Sequence, residues 1–417
     1  MSTPMSVEQY RDLILQDVAA LPSAQLPLAQ CLGLTTTAPV TAHVAVPPFT
    51  NSAMDGFAVH AEDVASASPD NPIRLQVIGE VPAGAVSDEW VGNGQAVRVM
   101  TGAAVPAGAN AVVPVEQTDQ QPGAAPLPDE IRVNAAVGEQ ANIRLAGEDL
   151  AEGDLVLAAG VLLDATSVAA AAATGHGTLS VIGKPRVAII ATGSELVAPG
   201  QPLDRGQLHD SNSIMLFGLA QEAGANPVSV SRCSDIPAEL DQAIAEAVRT
   251  ADVVITTGGV SVGTHDVVKN SALADVLSFV RVTMQPGKPQ GHGVLTSPDG
   301  RRVPIVTLPG NPVSVFVSWL CFVVPLLNRL VGRDAETATR WTRAVAGQDW
   351  RSPAGRRQYI PVARLDNDLV VPTHRLGSGS HLIASLHLAD GLAVIPADVD
   401  QVTAGDRVDV LTTRCWR

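Results

Sequence analysis

Aromatic side chains are nearly missing from this chain. They make up 3% of its 417 residues, against 46% for hydrophobic residues of all kinds, so its cores must be built from Val, Ala, Leu and Ile. Cysteine is equally sparse. Cys31, Cys233, Cys321 and Cys415 stand far apart, with no CxxC pair and no Cys/His cluster. A disulfide framework or structural zinc site is therefore not expected, and reduced thiols in the cytoplasm are. Basic residues are outnumbered, 27 Lys and Arg against 42 Asp and Glu, for a formal charge of −15. That field repels polyanions, so neither nucleic acid nor an anionic membrane surface is an expected partner. An anionic substrate would have to be held by a local cluster.

Other absences narrow the classes further. The most apolar run, VSVFVSWLCFVVPLL at 313–327, is shorter than the ~20 residues that span a bilayer and is interrupted by Pro325. It is expected to be a buried helix and not a membrane segment. The opening MSTPMSVEQYRDLILQD is polar and acidic, without the basic-then-apolar order of a targeting signal. There is no GxxxxGK[ST], no GxGxxG and no HExxH. A P-loop, a dinucleotide fingerprint and a zinc-protease helix are each missing.

What is present is a chain long enough for several domains. Val7, Tyr10, Ile14, Val18 and Leu21 keep helical spacing up to Pro22. Residues 51–144 change to short β-like runs such as IRLQVIGEV and QAVRVMTGA, separated by turns, and predict a small β domain inserted into an N-terminal domain of residues 1–50 and 145–182. DATSVAAAAATGHG reads as an Ala-rich helix stopped at Gly175. From 183 to 333 strands alternate with helices, which predicts an α/β domain with a mostly parallel sheet and right-handed crossovers. Residues 334–417 return to short strands and turns, and a β-barrel-like domain is expected there.

In an open α/β sheet, ligands bind beyond the carboxyl ends of the strands. The stretches after the strands are ATGSEL with Glu195, SRCSDIP with Asp235, TTGGVSVGTHD with Asp266, QPGKP with Lys288, and LPGNP. Gly258, Gly259 and Ser261 suit close approach of an oxyanion to bare backbone. Carboxylates beside such a loop suit Mg²⁺, which takes oxygen ligands, keeps waters and bridges phosphates. Lys288 adds a point charge for an anion. Singly, an Asp at a strand end is a cap or turn residue, Gly258-Gly259 is a tight turn, and the lone His265 and His292 are solvated or hydrogen-bonded side chains. Five loops at one sheet edge sharing one chemistry are a ligand site.

The stretches NSAMDGFAV, RVMTGAAVPAGANAVVPVE, NIRLAGEDL, ATGSEL, TTGGVSVGTHD, QPGKPQGHG, LPGNPVS and GSGSHLIAS resemble, in order, those of the molybdopterin molybdenumtransferase (MoeA) family, similar to the E domain of gephyrin. The resemblance covers the whole chain. It implies a four-domain homodimer with active sites between protomers. It also implies a Mg²⁺-dependent reaction of adenylylated molybdopterin with molybdate, giving molybdenum cofactor and AMP. An upstream adenylyltransferase and acceptor molybdoenzymes would be further partners. By the same resemblance Asp55, Thr101, Arg144 and Asp149 face the α/β site of the other protomer, and Glu195, Asp235 and Asp266 are metal and phosphate-ester residues. Lys288, Arg356 and Ser380 form the oxyanion pocket for molybdate, with Pro309 and Pro312 shaping the loop beside it. Many members have K-P-G-K where this chain has QPGK, so Gln285 stands in place of a lysine and adds donors without charge. No side chain stands out as a general base. Two other readings are open at this point: a molybdopterin adenylyltransferase, and a carrier or scaffold that binds the pterin without chemistry.

Overall fold

The structure is a computed structural model that describes residues 4–123, 125–259, 274, 276–336, 341–365 and 368–412. Its centre is a six-stranded sheet in the order Asn226–Cys233, Arg186–Thr192, Val253–Thr257, Arg302–Leu308, Pro289–Thr296, Ser278–Arg281. The first three pairings are parallel and the last two antiparallel. The change of direction has a local cause. Pro289–Thr296 and Arg302–Leu308 are joined by a tight turn in which Ser297 N–H donates to the Arg301 carbonyl (2.9 Å) and Gly300 has φ +82°. So short a link closes a hairpin, whereas a parallel crossover needs a dozen residues or more.

Helices cover both faces, which explains why the RVAIIAT strand is apolar without alternation. Val187 and Ile189 pack with Leu216 and Ala220 of helix Asn212–Glu222, while Ala188 and Ile190 face Leu240 and Ile244 of helix Pro237–Thr250. The apolar run at 312–330 is the buried helix that its composition predicts, but it is not uniform. It is α-helical over Pro312–Ser318, opens into a π turn over Trp319–Val323, and returns to α over Val324–Leu330. Pro325 follows two residues after the π turn ends. Its ring cannot donate to Cys321 and would crowd that carbonyl in a regular helix, and the wider turn relieves both.

The first helix is shorter than the sequence spacing suggests, Val7–Leu15 and not through to Pro22. Tertiary partners take the remaining residues. Leu21 N–H donates to the Leu330 carbonyl (2.8 Å) and Arg329 Nε to the Val18 carbonyl (3.1 Å). The helix seats Tyr10 edge-on against Phe322 and His292, with ring centroids 4.8 and 5.4 Å away. His292 is thus half-buried against an aromatic ring, and its Nδ1 is buried without a hydrogen-bond partner.

Away from the centre, Ser23–Pro27 pairs with Thr178–Ile182 in antiparallel register, bringing together segments more than a hundred residues apart. Between them lies a five-stranded sheet in the order Ala111–Pro114, Gly56–Val59, Gln95–Val99, Ile73–Val81, Glu130–Val133. At the far end of the chain, Arg357–Arg364, Leu369–Pro372, Trp341–Ala346, Arg407–Thr412 and Gly391–Ile395 pair in succession, and the last returns to the first, so the ring is closed. Met284–Gln285 leaves the central region to pair in parallel with Arg357–Gln358 of this ring. That two-residue splice decides which side chains meet in the site.

Candidate functional site

The parallel strands end at a cleft of about 930 Å³, floored by their carboxyl ends and walled by loops of the closed β ring. It is lined by Glu195, Asp235, Gly258, Gly259, Lys288, Pro309, Arg356 and Ser380, all eight expected from sequence to hold ligand. Pro312 stands just beyond the lining and starts helix Pro312–Ser318, where its missing N–H leaves no bond unmade. Ser261 and Asp266 lie outside the described residues.

Sheet order sorts the chemistry along this cleft. The loop of the edge strand carries Asp235, its neighbour carries Glu195, and the next carries Gly258 and Gly259. Pro309 to Asn311 follow, then Lys288, and Arg356 arrives from the ring. One end is therefore acidic, the middle bare backbone, and the other end basic. Lys288 reaches this edge for a different reason from the one its sequence suggests: it precedes an antiparallel strand, whose start lies beside the ends of the parallel ones.

At the acidic end, Asp235 and Ser194 bond reciprocally. Ser194 N–H donates to Asp235 Oδ2, and Asp235 N–H to Ser194 Oγ, both at 3.0 Å. Glu239, in the first turn of its helix, accepts from Ser234 N–H (3.0 Å) and Ser234 Oγ (2.6 Å), and these bonds hold its carboxyl below the usual range. In the middle, Gly258 has φ +94°, and a Cβ there would lie 2.4 Å from the Thr192 carbonyl oxygen, so only glycine fits. Thr192 Oγ1 donates to the Thr257 carbonyl (3.3 Å), and Thr257 Oγ1 to the Pro309 carbonyl (3.0 Å). Asn212 Nδ2 bridges Thr257 Oγ1 (3.1 Å) and the Gly310 carbonyl (2.7 Å). Three strand-end loops are thereby tied into one floor.

At the basic end, Asn311 Nδ2 donates to Ser380 Oγ (3.0 Å), and Val313 N–H to the Ser380 carbonyl (3.0 Å), which anchors the GSGSH loop. Arg356 Nη1 reaches Gln285 Oε1 at 3.5 Å, Gln285 Nε2 reaches Ser378 Oγ at 3.4 Å, and Ser378 Oγ donates to Gln358 Oε1 at 2.9 Å. The Gln285 carboxamide accepts from the guanidinium on one side, which an ammonium could not do.

Asp55, Thr101, Arg144 and Asp149 do not line this cleft within one chain. Asp55 Oδ1 accepts both Thr101 N–H (2.6 Å) and Thr101 Oγ1 (2.7 Å), and the backbone bond first, then the hydroxyl, lowers its pKa. Asp55 borders a second cavity of about 340 Å³ with Phe57, Arg98 and Met100. Arg144, in a two-residue pairing with Asn51–Ser52, and Asp149 are exposed.

Asn212, Asn311, Ser194, Ser378 and His381 were not among the expected residues, yet they line or brace the cleft. Asn212 sits in a DSNS string that reads as a helix start, and it is one; its bridging role appears only with the neighbouring strands in place. Among the described residues no three His, Cys, Asp or Glu side chains come together as a metal cluster. Of the described residues, Glu195 and Asp235 are the lining carboxylates that could hold a cation, and two carboxylates suit an ion that keeps waters and takes other oxygens from a phosphate.

Three family descriptions match successive parts of the chain: the MoeA N-terminal region (domain I and II) over residues 5–175, a probable molybdopterin binding domain over 188–329, and the MoeA C-terminal region (domain IV) over 343–413. The chain belongs to the MoeA family. It is 39% identical to molybdopterin molybdenumtransferase 2 of Mycobacterium tuberculosis over 97% of this chain and 98% of that one. It is 33% identical to the molybdopterin molybdenumtransferase of Nostoc sp., over 98% and 94%. In three dimensions it resembles the crystal structure of the molybdopterin biosynthesis MoeA protein of Pyrococcus horikoshii, with a TM-score of 0.79 at 30% identity, covering 98% of this chain and 99% of that one. The chain thus has the MoeA-like multidomain fold.

Proposed function

We propose that this protein is a molybdopterin molybdenumtransferase that inserts molybdenum from molybdate into adenylylated molybdopterin, with Mg²⁺ present, releasing AMP and molybdenum cofactor. The observation that carries this reading is the charge order of the cleft: carboxylates at one end, bare glycine backbone between, lysine and arginine at the other. A substrate with a metal-bridged phosphoryl group at one end and a tetrahedral oxyanion partner at the other matches that order.

Glu195 and Asp235 would hold Mg²⁺, which when bound would polarise the phosphoryl group joining pterin to AMP. The floor tied together by Asn212 and Thr257 keeps the glycine backbone at a fixed distance from the substrate phosphate. Lys288, Arg356 and Ser380 would hold molybdate against the acidic field of the rest of the chain, and Gln285 would orient Arg356. Positioning of two reactants, and not proton transfer by a side chain, would then supply most of the acceleration. Asp55, Thr101, Arg144 and Asp149 would complete the site from a second copy of the chain, in a homodimer. The unpaired Cys31, Cys233 and Cys321 fit a reducing cytoplasm.

The test is AMP release from adenylylated molybdopterin at fixed Mg²⁺, with molybdate varied from none to saturating. Molybdate-dependent AMP release with active cofactor formed is the expected result. Tight pterin binding without AMP release would leave a carrier, and consumption of ATP would leave an adenylyltransferase.

A further inference from the structure

Lys288 projects from a turn, Gln285 to Lys288, whose ends are fixed by the pairing of Gln285 with Gln358 and by Val282 N–H donating to the Lys288 carbonyl (2.8 Å). Gly287 has φ +104°, which no side chain favours, and a Cβ there would come within 3.1 Å of Met284 Cε and of Ser318 Oγ. The turn is held from below by Gln290, which is 1% exposed and does not line the cleft. Gln290 Nε2 donates to the Gly287 carbonyl (2.8 Å) and to Ser318 Oγ (2.6 Å), so both amide hydrogens are used. Ser318 is fully buried in the long apolar helix, at the last α-helical residue before the π turn.

The other half of the amide is informative. Gln290 Oε1 is buried with no partner, an arrangement that protein interiors avoid because the acceptor gives up water for nothing. A methionine of similar shape would remove that orphan but would take the donor from the Gly287 carbonyl and from Ser318 Oγ. What the glutamine supplies here is thus its two N–H groups, which span the turn and the buried helix.

We propose that Gln290 is a positioning residue of the oxyanion subsite: by joining the Gly287 carbonyl to Ser318 on the buried helix, it sets where Lys288 and Gln285 meet a tetrahedral oxyanion. This rests on the molybdate reading of the basic end. Gln290 touches no substrate and acts through the turn.

The experiment compares wild type with Gln290→Met, Ser318→Ala and Lys288→Ala, measuring equilibrium binding of molybdate to the folded protein and steady-state constants for both substrates. Gln290→Met is expected to weaken molybdate binding and raise its KM about tenfold, as a small misplacement of a holding group does. The KM for adenylylated molybdopterin and kcat at saturating molybdate should stay close to wild type. A role confined to folding would not single out one substrate. If Gln290→Met does not fold, Ser318→Ala, which keeps the Gln290–Gly287 bond but frees it from the helix, is held to the same criterion. Unchanged molybdate binding in the folded variant, with binding lost in Lys288→Ala, overturns the positioning role and leaves the proposed function standing. Unchanged binding in Lys288→Ala overturns the oxyanion subsite itself, and the inference with it.

Discussion

Ser194 and Asp235 hold each other: each backbone N–H donates to the other's side chain at 3.0 Å, across two loops 41 residues apart in sequence. The pair joins the loop of Glu195 to that of Asp235, so the two carboxylates at the acidic end cannot shift independently. Ser194→Ala removes the bond that fixes the Asp235 backbone while leaving both carboxylates. We expect its half-saturating Mg²⁺ concentration to rise about tenfold, the usual order for loss of a group that orients a ligand. Asp235→Ala should lose Mg²⁺-stimulated turnover altogether. A Mg²⁺ titration of AMP release decides it, and an unaltered half-saturation in Ser194→Ala would remove the pair from the metal site.

Gln285 gives the second expectation. Gln285→Lys adds a charge beside Lys288 and Arg356 but gives up the acceptor that meets Arg356 Nη1. One partly screened unit charge close to a dianion should tighten molybdate about tenfold at low salt. The gain should fade as the Debye length shortens. An apparent molybdate constant that matches wild type at every ionic strength would show that the charge at this position is immaterial.

Gly258 tests the floor. Gly258→Ala puts a methyl group 2.4 Å from the Thr192 carbonyl at φ +94°. Both the strain and the collision act on the folded state, so a loss of about 1–3 kcal/mol in denaturant unfolding is expected, with turnover falling further than stability. A variant of wild-type stability would mean that the loop relaxes freely, and that its shape is not imposed by the strands beneath.

His292 makes stability depend on pH. Burial against Tyr10 lowers its pKa below the ordinary 6.5. The unfolded chain then takes up a proton at a higher pH than the folded one, so this contribution is intact above the unfolded value and declines as pH falls toward the folded one. His292→Gln should lose less melting temperature than wild type between pH 7 and pH 5. Parallel pH curves for the two proteins would show that the imidazole takes up its proton at the same pH in both states.

The legible part of this protein lay where local pattern and tertiary role agree. RVAIIATG and DVVITTGG are apolar on both faces because helices cover both faces, so they announce buried parallel strands, and the loops after them announce a ligand edge. Helix Pro237–Thr250 could be read from its Pro start and spacing. The length of the first helix could not, because residues 18–21 bond to the end of a helix three hundred residues away. His292 gave no hint of its burial, since that depends on Tyr10 arriving from the other end of the chain.

The residue types suited to phosphate, metal and oxyanion are local properties, and the chain alone determined them: glycine where backbone is bared, carboxylates and a lysine at strand ends, serines in a glycine-rich loop. Their arrangement was decided only in three dimensions. The antiparallel hairpin carries Lys288 to the edge where Glu195 and Asp235 end, and the splice of Met284–Gln285 onto Arg357–Gln358 brings Gln285 beside Arg356. Strand order follows from which apolar faces pack best over the whole core, a sum over many distant contacts that no single stretch of sequence contains.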